Sequence, residues 1–446
     1  MKPLAILPLG VAALTLGAAA ETVHWPQYRG AHSDGLAEGD TLPETWSDTE
    51  NVVWKTAVPG WGWSSPVVWD DRIFVTSAVG ETELPTPTVG GYPGGHVAAE
   101  EEHRWMVYCL DFDTGEIIWE AEAHRGLPPR ERHPRNSFAS ETPVTDGERL
   151  YVWFGNIGLF CYDMEGTKLW EERRPAYPMR GGWGTGTSPV LHGDRLFIQN
   201  DNETESYLEA FDAETGETLW RVDRDEKSNW STPYVWESGD RTEIVSIGSN
   251  RIRSYGMDGE ELWDLEGTSG LVSLMPLAVD GLLYAGAGYH YGPLYAIRPG
   301  ATGDISLKPG ETSNQWIAWT QPRGSSIHPC YLISENRLFV NYDSGLLACF
   351  DAKTGEPIFG RQRLETRGGR FYASPWSYGG RVFLLNENGD TWVVDDDPEF
   401  RIVRKNSLGD VAWATPAIAR GSLFIRTYRS LFRLQKTEEN NQAMKP

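Results

Sequence analysis

The sequence predicts an all-β protein, an eight-bladed β-propeller of four-stranded antiparallel blades in which an N-terminal strand closes the last blade. Three observations predict it. A proline that opens an apolar strand recurs eight times, a turn-and-tryptophan motif follows in most copies, and the one unit lacking its final strand lies at the opposite end of the chain from an unclaimed one. The composition agrees. Among 446 residues there are 48 Gly, 28 Pro and 12% aromatics, with few long periodic apolar stretches, which suits many short strands joined by tight turns and not helical bundles.

Taken in order, the chain opens with Lys2, an apolar run over 4–16 and the small residues Gly17-Ala18-Ala19-Ala20, the layout of a secretory signal peptide with cleavage expected after Ala20. The run is shorter than the roughly 18 apolar residues that a membrane helix requires, and no other stretch approaches that length. No cysteine stands beside the cleavage site to carry a lipid. The expected product is a periplasmic or secreted monomer that does not span a membrane. A formal net charge of -23 repels polyphosphate and argues against nucleic acid as a partner. Residues 21–50 read as an N-terminal extension and 51–435 as the propeller.

The prolines define the repeat. Clear copies are Ser65-Pro66-Val67, Thr142-Pro143-Val144, Ser188-Pro189-Val190 and Thr232-Pro233-Tyr234, and weaker ones are Met275-Pro276, His328-Pro329, Ser374-Pro375 and Thr415-Pro416. Their steps are 77, 46, 44, 43, 53, 46 and 41 residues. Proline has no N–H for the sheet ladder, so it is tolerated at the first residue of a strand and not in its middle. A polar turn and a second apolar strand follow each one, as at Asp70-Asp71 before Arg72-Ile73-Phe74-Val75, which makes a hairpin.

The second half of the unit reads Asp111-Phe112-Asp113-Thr114-Gly115 up to Trp119, again Asp212 to Trp220, and again Asp351 to Phe359. The aspartate is expected to accept backbone hydrogen bonds in the turn, the glycine to take a positive φ, and the aromatic to fill a gap in the packing. Trp54, Trp119, Trp170, Trp220, Trp263 and Trp319 are assigned to this docking role. Asn51-Val52-Val53-Trp54-Lys55 is a tryptophan strand with no unit before it, while the unit after Pro416 has no such strand, so the two should pair and leave no open edge. The first repeat is about 30 residues longer than the others. Its Pro/Gly-rich, acidic excess over 79–105 reads as a surface loop placed to act as a lid, and 436–446 as a disordered tail.

The docking repeat, Ala-x-Asp-x-x-Thr-Gly-x-x-x-Trp, resembles that of the PQQ-type (quinoprotein dehydrogenase) propellers over about residues 50–434. The resemblance extends to secreted bacterial members of no assigned activity and to the outer-membrane assembly propeller, so it implies a fold shared by enzymes and non-enzymes. The dehydrogenases hold pyrroloquinoline quinone between a Trp and a vicinal Cys-Cys disulfide, with Ca²⁺ on Glu, Asn and Asp. This chain has no adjacent cysteines and no Cys-x-x-Cys-His haem site. PQQ with calcium is thus the cofactor the resemblance would bring, and none is firmly required. The leading expectation is a non-catalytic binding or scaffold propeller of the cell envelope, whose partner is a small molecule, a polysaccharide or an envelope protein. The alternative is a PQQ-dependent alcohol or sugar oxidoreductase.

Candidate residues follow from departures from the repeat, because packing alone should treat eight equivalent positions alike. Cys109, Cys161 and Cys349 share the third-strand slot that Ala210 fills, so buried free thiols are expected. Trp61, Trp63, Trp183, Trp230 and Trp413, with Phe138 and Tyr372, precede the proline strands and should ring one mouth of the central channel, as a stacking platform for a flat or sugar-like ligand. His328 stands where six other copies carry Ser or Thr, and Glu141 where most carry a small or apolar residue. Arg135, Asn136, Arg180, Asn229 and Arg370 add polar groups at the same mouth. No residue is assigned to catalysis. The acidic runs Asp201-Asn202-Glu203 and Asp395-Asp396-Asp397, and His96 with His103, are weaker metal candidates that lack a recognised ligand spacing.

Overall fold

The computed structural model describes residues 23–39, 41–82, 86–91, 94–98, 100–289, 292–364 and 369–436; the expected signal peptide and the residues beyond 436 lie outside them. Eight antiparallel sheets form the blades of a propeller. Blade 1 comprises Val67–Trp69, Arg72–Gly80, His103–Asp111 and Ile117–Gly126, hydrogen-bonded in that order. The short first strands of neighbouring blades contact one another and therefore surround the axis. Blade 8 consists of Ala417–Ala419, Ser422–Arg426, Ser430–Leu434 and the N-terminal strand Val52–Ala57, which pairs antiparallel with Ser430–Leu434, Lys55 opposite Phe432. The ring is closed by joining the two ends of the chain, as the unclaimed tryptophan strand predicts.

Blade-to-blade packing at the periphery repeats one device. The indole Nε1 of Trp54, Trp119, Trp220 and Trp319 donates to the backbone carbonyls of Phe112, Met164, Met257 and Ala352 in the following blade, at 2.8 to 3.0 Å. Each ring lies on the turn glycine. A Cβ built on Gly115, whose φ is +72°, would come within 2.6 Å of Trp54, so the turn needs glycine for both its backbone and its clearance. Asp111 accepts the N–H groups of Asp113 and Thr114 at 3.0 and 2.7 Å, and these bonds hold its carboxyl below the usual range. Trp263 departs from the pattern. Its Nε1 donates to Glu243 at 2.7 Å, and its strand gains a fifth, parallel neighbour, Gly303–Asp304.

Around the axis a second device explains the Ser/Thr before proline. The backbone N–H of Ser65 donates to Thr142 Oγ1, that of Thr142 to Ser188 Oγ, that of Ser188 to Thr232 Oγ1, and that of Ser374 to Thr415 Oγ1, all at 2.9 to 3.1 Å. Each hydroxyl thus satisfies the buried N–H of the blade before it. Blade 6 corrects the sequence register. Its first strand begins at Leu332, three residues after Pro329, whereas the others begin at the residue following their proline. Cys330 occupies the hydroxyl slot: its Sγ accepts Met275 N–H at 3.2 Å and its own N–H donates to Ser374 Oγ at 3.0 Å. His328 is therefore not the counterpart of the other pre-proline residues and is displaced towards the mouth.

The N-terminal segment crosses the axis. Trp25 exchanges backbone hydrogen bonds with Val68 in blade 1, Pro26 C=O accepts from Thr145 in blade 2, the Arg29 guanidinium donates to Tyr331 C=O in blade 6, and Ala37 N–H donates to Ser377 C=O in blade 7. One end of the channel is thereby covered. Cys109, Cys161, Cys330 and Cys349 are buried and free, and burial pushes the thiols of Cys109, Cys161 and Cys349 up to about 12. The strands of blade 1 extend through Gly80 and resume at His103, so the excursion is shorter at both ends than 79–105.

Candidate functional site

At the end of the channel opposite the covered one lies a cavity of about 550 Å³. Its floor includes Tyr28 of the crossing segment, whose hydroxyl hydrogen-bonds Ser374 Oγ at 2.9 Å. On the far side of that segment, Gln27 and His32 line a separate cavity among the inner strands of blades 3 to 5. The mouth cavity is therefore blind.

Of the residues singled out from the sequence, Trp63, Asn136, Trp183, Trp230, His328, Arg370 and Trp413 line this cavity, together with Arg135, Arg180 and Tyr372. Two do not. The Glu141 carboxylate is buried behind the rim, accepts the N–H groups of Ser140 and Gly155 at 3.1 and 3.2 Å, and is raised in pKa by burial. Asn229 is equally enclosed: its Oδ1 accepts Trp230 and Val272 N–H, and its amide donates to Ile247 C=O. Both read as polar bracing of loops, as does Asn136, which donates to the Trp183 and Thr185 carbonyls at 2.9 Å although it reaches the cavity. Trp61 and Phe138 also stand back from the lining, Trp61 beneath the Arg132 guanidinium at 4.2 Å and Phe138 against His103 and Trp105.

The aromatic walls come in two groups. Trp183 and Trp230 stack on each other with centroids 5.9 Å apart. Opposite them, Trp63 and Trp413 meet at 4.5 Å and 45°, Tyr372 packs on Trp413 at 5.6 Å, and His328 meets Tyr372 edge-on at 4.9 Å. Two acids that sequence reasoning missed organise the charge. Asp343 and Glu387 follow the second strands of blades 6 and 7, Arg337–Tyr342 and Arg381–Leu385. Arg370 donates to Asp343 Oδ2 at 3.2 Å, and Arg135 pairs with the fully buried Glu387 at 3.3 Å while donating to Tyr372 Oη at 2.6 Å. The blade 1 excursion is attached to the same groups. Glu387 accepts Gly90 N–H at 2.9 Å, Arg135 donates to Gly90 C=O, and Arg370 Nε donates to Gly91 C=O at 3.2 Å.

Several polar atoms of the lining residues are enclosed without a partner among the described residues: Asp343 Oδ1, His328 Nδ1, Trp413 Nε1 and Arg135 Nε. Burial lowers the His328 pKa, Arg370 and Arg135 lower it further, and Asp343 opposes them. The net direction keeps the imidazole neutral at pH 7, with one ring nitrogen able to donate and the other to accept.

The donor set does not fit a calcium-bound quinone. Calcium takes six to eight oxygens, yet among the described residues Asp343 is the single carboxylate lining the cavity and is engaged by Arg370, while Glu141 and the Asn229 amide are committed to the backbone. Among the described residues no three His, Cys, Asp or Glu converge as metal ligands. The acidic runs are occupied by arginines, Asp201 by Arg224 at 2.8 Å, Asp395 by Arg381 at 2.6 Å and Asp396 by Arg337 at 2.6 Å.

The chain matches a family model described as outer membrane protein assembly factor BamB over residues 78–205, 204–305 and 301–413. No curated protein matches it. Among solved structures it is similar to BamB from Moraxella catarrhalis, at 12% identity and TM-score 0.57, covering 86% of this chain and 99% of that one. It is similar to quinohemoprotein alcohol dehydrogenase from Comamonas testosteroni at 11% and 0.58, covering 94% and 81%, and to quinohemoprotein alcohol dehydrogenase ADHIIG from Pseudomonas putida HK5 at 12% and 0.60, covering 93% and 80%. At such identities these likenesses concern the fold, and they join proteins of different function.

Proposed function

The chain belongs to the PQQ-like propeller family whose model is described as outer membrane protein assembly factor BamB, and from that premise we propose that it is a non-catalytic binding propeller of the cell envelope that takes a ligand in the blind mouth cavity. One observation carries the reading: a pocket of about 550 Å³, walled by tryptophans, holds enclosed polar atoms that the protein leaves unanswered. Ligand pockets of roughly 300–1,000 Å³ combine mostly apolar walls with a few placed polar groups in this way. The ligand-contacting residues are Trp63, Trp183, Trp230, His328, Arg370 and Trp413, with Asp343 added. Asn136, Glu141 and Asn229 hold the loops that present them.

The secretory layout of the first 20 residues supports an envelope location. Among the described residues, no helix is long and apolar enough to cross a membrane. A quinone-dependent oxidoreductase is the second reading, favoured by the fold likeness to the alcohol dehydrogenases and opposed by the donor set at the cavity.

The test has two arms. Purified protein is screened against small molecules by thermal shift and tryptophan fluorescence, and separately incubated with PQQ and Ca²⁺ while dye reduction is followed with alcohols and sugars. The expected result is at least one ligand that raises Tm by about 2 °C or more, abolished in Trp183→Ala and Trp230→Ala, and no dye reduction. Turnover in the PQQ arm would overturn the proposal.

A further inference from the structure

Resting on that binding reading, we infer that the mouth cavity recognises the terminal unit of a neutral saccharide, with Asp343 Oδ1 and His328 Nδ1 answering its hydroxyls and the indoles covering its apolar face.

The chemistry of the lining selects against the other classes. An anion would need an uncommitted guanidinium inside the cavity, but Arg135 is bound to Glu387 and Tyr372, and Arg370 to Asp343 and Gly91. Opening the buried Arg135 pair would strand Glu387 as an uncompensated buried charge. Among the described residues Arg180 is the remaining lining arginine and stands exposed at the rim, where its field is screened. Among the described residues a cation would find one carboxylate, already paired. Sandwiching a flat aromatic takes two walls with a gap between them. Here the close ring pairs are already in mutual contact at 4.5 and 5.9 Å, and Trp63 is tilted by 45° to Trp413, so a planar ring cannot enter between them.

The residues lining the cavity bring aromatic faces and three enclosed, unpartnered polar atoms: an acceptor on Asp343, a nitrogen on His328 that donates or accepts according to tautomer, and the Trp413 indole donor. Hydroxyl groups donate and accept at once, and the C–H face of a sugar ring lies on a single indole. Asp343 is 4% exposed, so its free oxygen forms little hydrogen bonding with bulk water and profits from a ligand donor. The crossing segment blocks the channel at Tyr28, so a polymer cannot thread through and only its end can enter.

The experiment titrates the protein with cellobiose, maltose, N,N′-diacetylchitobiose and their trimers, and in parallel with 2-naphthoate as a flat anion, reading indole fluorescence and heat. At least one neutral saccharide should bind. Asp343→Asn and Trp413→Phe should each weaken it by about tenfold, the loss expected for one enclosed hydrogen bond, with unchanged circular dichroism. His328→Gln serves as the second polar variant should Asp343→Asn fail to fold. Saccharide binding indifferent to these substitutions overturns the inference. If naphthoate alone binds, and Trp183→Ala removes it, the saccharide class falls while the cavity stays a binding site. If no probe of any class binds in this titration or in the wider screen, both readings fall together.

Discussion

The periphery of the propeller and its channel mouth are built from the same eight units and treat them differently. At the periphery, Trp54, Trp119, Trp220 and Trp319 repeat one contact, indole to backbone carbonyl over a turn glycine. At the mouth the indoles recur before the first strands of blades 1, 4 and 8 as Trp63, Trp230 and Trp413, but the polar groups do not follow the repeat: blade 2 gives Arg135, blade 6 His328 and Asp343, blade 7 Arg370. Packing between sheets has a single good solution, so it recurs. A ligand is asymmetric, and the residues facing it have no reason to obey the symmetry of the scaffold.

The contrast can be broken from the periphery inwards. The largest effect is expected for Trp54→Ala, which removes an aromatic from the closing blade and leaves a cavity over Gly115; a loss of about 3–5 kcal/mol should appear in urea unfolding. Thr142→Ala should cost about 1–3 kcal/mol, because Ser65 N–H loses its acceptor inside the ring, and the same denaturation measurement checks it. Trp230→Ala, at a half-buried site, should cost less than about 2 kcal/mol yet abolish ligand binding, separating the mouth from the scaffold. The smallest effect concerns pH. Folding holds the His328 proton less tightly than the reference value of 6.5, so its contribution is complete above that value and is lost as pH falls towards the lower folded value. Tm measured from pH 8 to 5 should decline less in His328→Gln than in the parent. Equal declines would show that the imidazole near Asp343, Arg370 and Arg135 does not govern this range.

The fold was legible because its rules are local and repeated: a proline at a strand start, an Asp-to-Gly turn, a tryptophan to dock. Even the closure by 52–57 followed from counting strands. The site was legible in part. Trp63, Trp183, Trp230 and Trp413 stood out because indoles before a strand are unusual, and they do line the cavity. Glu141 and Asn229 misled, since a polar residue near a mouth looks the same in sequence whether it serves a ligand or a backbone N–H. Pro329 misplaced blade 6 by two residues, and Cys330 was not recognisable as a stand-in for a hydroxyl. Asp343 and Glu387 gave a usable signal, an acid within two residues of the end of a largely apolar second strand, as in Val340-Asn341-Tyr342-Asp343 and Leu384-Leu385-Asn386-Glu387. Tyr28 gave none, because nothing in the repeat foretells that the N-terminal segment turns inwards.

The closing strand has a consequence for how the molecule is made. Val52–Ala57 has no partner until Ser430–Leu434 has been synthesised and delivered, so the part of the propeller that emerges first is the last to become permanent. A truncated chain would present an open sheet at both its beginning and its end and would be exposed to proteases, whereas the closed ring leaves no such edge. Joining its termini makes the propeller its own test of completeness.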